Sequence, residues 1–169
     1  MDLLFDRLAT VDVTVTTPDN SATARLRGRS SVSVSLVPGY FGTATPKRLA
    51  DNLAALGELL WQAREDAVRR SGSEASQPVG VAPTSSSRDV TLRRARDSIV
   101  CEGRSADGSV SVGTVGMTAW IADLEPAAYT RGEEAFCAAA GEAISAVLAD
   151  RLPQLHRLAT LARADRLIA

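Results

Sequence analysis

Eighteen arginines and a single lysine, Lys47, carry the positive charge of this 169-residue chain. Two groups of these arginines have a spacing that could do chemistry. Arg25, Arg27 and Arg29 alternate, so on a strand all three project from one face while Ala24 and Leu26 point to the other. Arg88, Arg93, Arg94 and Arg96 form a denser cluster, preceded by Arg69 and Arg70 at the end of a helical segment. A guanidinium offers a planar fork of donors to phosphates or carboxylates. Both groups are therefore candidate contacts for nucleic acid or for an acidic partner. The competing reading is a solvated face, with arginines paired to local acids or completing a helix dipole at its C-terminal end.

Other chemistries find little support. The one histidine, His156, and two cysteines 36 positions apart, Cys101 and Cys137, have no metal-ligand spacing. No nucleophile elbow, Walker sequence or dinucleotide-binding glycine triplet occurs. Glu133-Glu134 is read as first-turn acids complementing a helix dipole, and Asp19 and Asp107 as turn residues. The chain is read as non-enzymatic, without metal or cofactor.

The net charge is −1, with 45% apolar and 4% aromatic residues. A core of Leu, Val and Ala follows, and no strong overall attraction to a polyanion. No apolar run reaches the roughly 18 residues of a membrane span, and no secretory signal is evident in the first nine residues. A cytoplasmic protein without membrane contact is expected, its cysteines unpaired thiols.

The elements that must position the arginines come twice. Displaced by 88 residues, segment 17–41 lies over 105–129 without a gap: Asp19 meets Asp107, Gly28 meets Gly116, Leu36 meets Leu124 and Pro38 meets Pro126. Val32, Val34 and Leu36 fall over Trp120, Ala122 and Leu124 in the same alternating phase, which a one-residue slip would invert. Such self-similarity defines an architecture before any motif does. Each unit reads as three strands and a long helix: 10–17, 21–27, 31–37 and 46–70, then 98–104, 109–115, 117–124 and 132–151. Thr45-Pro46 is a helix start. Leu49, Leu53, Leu56 and Leu60 make a narrow stripe suited to a sheet or a partner helix, and Trp61 beside it is a candidate interface anchor. Pro153 predicts a kink or a new helix. Residues 1–9 and 88–97 read as short helices. The expected fold is α+β, with units 1–72 and 88–169 joined by a Ser/Pro/Gly-rich linker at 73–87 and packed as an intrachain pseudo-dimer. Self-association remains open.

The residues of this order are TPDNSAT at 17–23, SLVP at 35–38, Phe41 and the helix from Pro46 in the first unit. In the second they are SADGSVSV at 105–112, IADLEP at 121–126, Tyr129 and the helix from Glu133. Three strands, a proline stop and a long Ala-rich helix resemble the YbaB/EbfC family. That resemblance implies a small three-stranded sheet with long helices, association through it, and DNA binding as a nucleoid-associated protein. The chain departs from the family in having double length, like a fused dimer, and in reducing the family's long N-terminal helix to 1–9 and 88–97. Actinobacterial relatives of this fold accompany type VII secretion systems, which implies the alternative of a protein-binding chaperone or adaptor.

Overall fold

The computed structural model describes residues 9–73 and 87–168, so the short helix expected at 1–9 and most of the linker lie outside the described residues. Two three-stranded antiparallel sheets form, each in simple up-and-down order. The first holds β1 (Asp12–Thr16), β2 (Ala22–Arg27) and β3 (Ser31–Leu36); the second holds β4 (Val100–Arg104), β5 (Val110–Val115) and β6 (Ala119–Leu124). Every strand begins 88 residues after its counterpart, and corresponding strands alternate between the two sheet faces in the same phase.

The turns repeat for a chemical reason. Asp19 Oδ1 accepts from the hydroxyls of Thr17 (2.7 Å) and Ser21 (2.6 Å) and from the Ser21 amide (3.1 Å). Asp107 Oδ1 accepts from the hydroxyls of Ser105 and Ser109 (both 2.7 Å) and from the Ser109 amide (2.9 Å). The sharp bend at each turn needs a positive φ, taken by Asn20 (56°) in one unit and Gly108 (72°) in the other. These donors favour the charged carboxylate and hold both groups at about 2, below the ordinary 3.8. The unfolded chain therefore binds more protons between about pH 4 and pH 2, and stability should fall as pH drops through that window. Urea titrations across it should show a shallower acid slope for Asp19→Asn/Asp107→Asn than for the unmodified chain. An unchanged slope would remove this account of the turns.

After β3 the chain makes one helical turn, α1 (Tyr40–Thr43), and enters α2 (Pro46–Ser73). The Thr45 hydroxyl accepts from the Arg48 amide at 3.3 Å, as an N-cap does. A basic helix, α3 (Ser87–Asp97), leads into β4. After β6, Pro126 starts a single turn, α4 (Pro126–Thr130), and α5 runs from Glu133 to Ile168. No new helix begins at Pro153. Pro153 is exposed and α5 passes through it, because proline forfeits one helical hydrogen bond while the flanking turns keep theirs.

The two units exchange helices. The inner face of the first sheet (Val13, Val15, Ala22, Ala24, Leu26) receives α2, but α2 also covers β6 of the second sheet. Reciprocally, α5 covers β4 and β5 of its own sheet and β3 of the other. The Val32 amide donates to Ser145 Oγ on α5 at 3.0 Å. In the symmetry-related place, 88 residues on from Val32, Trp120 lies against Gly57 of α2, so closely that a β-carbon at 57 would overlap the indole. Phe41 and Phe136 close the seam between units, their rings 5.4 Å apart. One core therefore serves both halves, with Leu26, Leu56, Leu60, Ile144, Val147 and Leu148 fully buried in it.

Candidate functional site

Leu49, Leu53, Leu56 and Leu60 are all buried within the chain. They lie in the core that both units share, and they present no surface to a separate partner. Trp61 is half-buried beside them. Its ring is flanked by two guanidinium groups, Arg64 at 5.1 Å and Arg151 at 5.9 Å from the ring centroid.

These two arginines were not among the sequence candidates, yet each is only 2% exposed. Arg151 Nη1 donates to the Arg96 carbonyl at 3.1 Å and so completes the C-terminal end of α3. Arg64 Nε and Nη1 and Arg151 Nε have no hydrogen-bond partner. Burial disfavours both charged forms and pulls both arginines below their ordinary value. The Trp61 π-face and the negative charge of Glu65 work in the opposite direction. Periodicity was the available signal: Arg64 stands four residues after Leu60 and continues the leucine stripe, as Arg151 continues Ile144 and Leu148.

The remaining arginines sit on separate elements. Arg25 and Arg27 project outward from β2 as the alternation predicts, but Arg29 lies in the turn beyond it, because the strand ends at Arg27 and Gly28 takes a φ of 63°. Arg25 forms a two-pronged ion pair with Asp12, Nε to Oδ1 at 2.8 Å and Nη2 to Oδ2 at 2.5 Å. Hydrogen bonding from Arg25 is the main reason the Asp12 carboxyl is held below its ordinary value. Arg69 pairs with Asp66 at 3.2 Å, and Arg70 Nε donates to the Asp66 carbonyl. Arg94 and Arg96 are exposed in the last turn of α3. Arg93 belongs to the same helix, but its side chain lies outside the described residues.

The outer faces of the two sheets differ where the inner faces agree. On the first sheet the nine outward positions form three cross-strand rows: Asp12, Arg27, Ser31; Thr14, Arg25, Ser33; Thr16, Thr23, Ser35. That surface holds six hydroxyls, two arginines and one acid. On the second sheet the rows read Val100, Val115, Ala119; Glu102, Gly113, Ile121; Arg104, Ser111, Asp123. The core constrains inward residues through packing, whereas outward residues are free to diverge toward whatever each face meets.

Cys101 in β4 and Cys137 in α5 are free thiols, and burial raises both above their ordinary value. Among the described residues, no group of histidine, cysteine and acid side chains is placed to hold a metal ion. No helix among them is long and apolar enough to cross a membrane. In comparisons with known proteins, no family model, no curated protein and no solved structure matches the chain.

Proposed function

We propose that this chain is a non-enzymatic binding module that contacts the DNA backbone through the outer face of its first sheet. The observation that carries this reading is the composition of that face: nine outward positions with six hydroxyls, two arginines, one aspartate and no apolar side chain. Serine and threonine hydroxyls and arginine are among the side chains that bond phosphate oxygens. The resemblance of the duplicated strand-and-helix order to YbaB/EbfC proteins supports the same conclusion. With a net charge of −1, attraction must come from this local face and be moderate.

Asp12 acts as a built-in restraint, because it occupies the fork of Arg25. Asp12→Asn should therefore tighten binding, and Arg25→Ala/Arg27→Ala should weaken it. Anisotropy of a labelled duplex of about 30 base pairs, followed between about 50 and 200 mM salt, measures both effects. The double arginine variant should flatten the salt slope by roughly one for each phosphate it no longer neutralises. No binding at the lower salt, or binding indifferent to both variants, would refute the proposal.

A second reading, a protein-binding chaperone or adaptor of the type VII secretion kind, is favoured by one observation, the apolar row on the outer face of the second sheet.

A further inference from the structure

Two buried guanidinium groups against one indole make a site of a different kind from the outer face of the first sheet. Arg64 comes from α2 and Arg151 from α5, and their guanidinium carbons lie 5.1 and 5.9 Å from the Trp61 ring centroid. Trp61 is half-buried and lines a surface hollow with Met117 and Thr118. Each arginine is only 2% exposed, so both guanidinium groups stand on the inner side of the ring. Arg64 Nε and Nη1 and Arg151 Nε are buried without a hydrogen-bond partner. Among the described residues, neither arginine forms an ion pair with a carboxylate. Water can accept from a lone N–H group, but it cannot cancel a buried charge, and two unpaired charges in one place are costly. Orphaned donors of this sort call for a partner, and for a cation that partner is an anion.

The charges around the pair say which anion. Glu65 is the acid whose charge acts on both arginines, from a distance. Exposed Arg96 acts against Arg151, and half-buried Asp150 acts on the neighbouring Cys101 thiol, so these two offset each other. Arg64 and Arg151 against Glu65 leave one positive charge, which one monovalent anion balances. Glu58, Glu65 and Asp66 line the hollow outside Trp61, and they repel a multiply charged oxyanion more strongly than a single charge. The donors are closely packed, which favours a monatomic ion. Guanidinium and indole are both weakly hydrated, so the site suits an ion that sheds water readily, chloride or bromide, over fluoride.

We infer that Arg64 and Arg151 hold one halide ion on the inner side of Trp61, through the N–H groups that have no partner within the chain. A ligand of one atom has a low ceiling of affinity, so the dissociation constant is expected on the order of 100 mM. Because α2 belongs to the first unit and α5 to the second, the ion ties the two units together where their exchanged helices meet Trp61.

Thermal unfolding of the full chain in about 0.3 M sodium bromide and in about 0.3 M sodium fluoride tests this by linkage. The midpoint should stand about 2 °C higher in bromide. General salt effects run the other way, because the more strongly hydrated fluoride favours burial. Arg64→Met/Arg151→Met keeps the bulk of both side chains and removes their charge. It should unfold no earlier than the unmodified chain in fluoride, and it should restore the ordinary order, with fluoride the more stabilising salt. The chlorine magnetic resonance line of a chloride solution gives a second readout that needs no variant. The folded, unmodified chain should broaden it, and added bromide should reverse the broadening by competition. A midpoint in bromide no higher than in fluoride, a bromide preference that the double variant retains, or a chloride line that bromide leaves unchanged would overturn the inference.

Discussion

Gly103→Val should lower the unfolding midpoint by about 10 °C. A β-carbon at this position would overlap the Ala143 carbonyl oxygen and stand 2.6 Å from the Val147 amide of α5. Both are backbone atoms, so no rotamer change relieves the clash. The strand and the helix must separate, and with them Cys101, Val110, Val112, Val147 and Leu148, which share that buried layer. Overpacking a core costs about 1–3 kcal/mol when side chains can yield. Here the helix itself must move, and we expect about 4 kcal/mol, at the upper end of single-residue effects. For a domain of this size that is a fall of about 10 °C in Tm, measured by circular dichroism or calorimetry. Gly42→Ala is the control, because nothing lies within 4 Å of a β-carbon there. Equal effects at the two positions would show that helix-to-strand contact at Gly103 is not what limits stability. The counterpart of Gly103 in the first unit is Val15, half-buried. The two helices therefore stand at different distances from their own sheets, and the duplication is symmetric in topology but not in packing.

Separating the halves should abolish monomeric folding. The inner face of β3 is covered by α5, and that of β6 by α2. A chain of residues 1–86 keeps its first sheet and α2 but is without the helix over Val32, Val34 and Leu36. It can bury them by docking on a second copy, whose α2 then takes the place of α5. Its unfolding midpoint should consequently depend on protein concentration, as for an obligate dimer. Fragments 1–86 and 87–169 mixed together should give a one-to-one complex more stable than either alone. The corresponding contacts have diverged between the halves: the large Trp120 lies against Gly57, whereas the Val32 amide bonds the Ser145 hydroxyl. Concentration-independent, cooperative unfolding of the 1–86 fragment would show that the exchange of helices is dispensable.

Much of this architecture is legible along the chain because its causes are local. Alternation of apolar residues sets the strands and their inward faces, and the Asp-centred turns and the glycines after β2 and β5 set their ends. The Thr45-Pro46 step sets the start of α2. The 88-residue offset then doubles each assignment, and the strands obey it to the residue. The Pro126 stop is half legible. It ends β6, but the sequence gives no sign that it also opens a helical turn, because a proline suits either role.

The candidate sites were less legible, because charge pairing joins residues far apart in sequence. Arg25 looks free beside Arg27 until β1 brings Asp12 against it, 13 residues away. Arg64 and Arg151 look like surface charges on long helices until the exchange of those helices closes the core over both, with Trp61 between them. The stripe of Leu49, Leu53, Leu56 and Leu60 fits a sheet or a foreign helix equally well by period alone, and the fold directs it onto both sheets of its own chain.

By itself the sequence determined what depends on neighbours: strand alternation, turn chemistry, helix starts, and the fact of repetition. Only the tertiary structure decided what depends on distant encounters. It placed each helix across both sheets, buried two arginines against one tryptophan, and left one outer face wholly polar while the other carries an apolar row. The physical reason is range. Backbone preference and side-chain period act over a few residues, whereas burial and ion pairing are set by which surfaces meet once the chain has closed on itself.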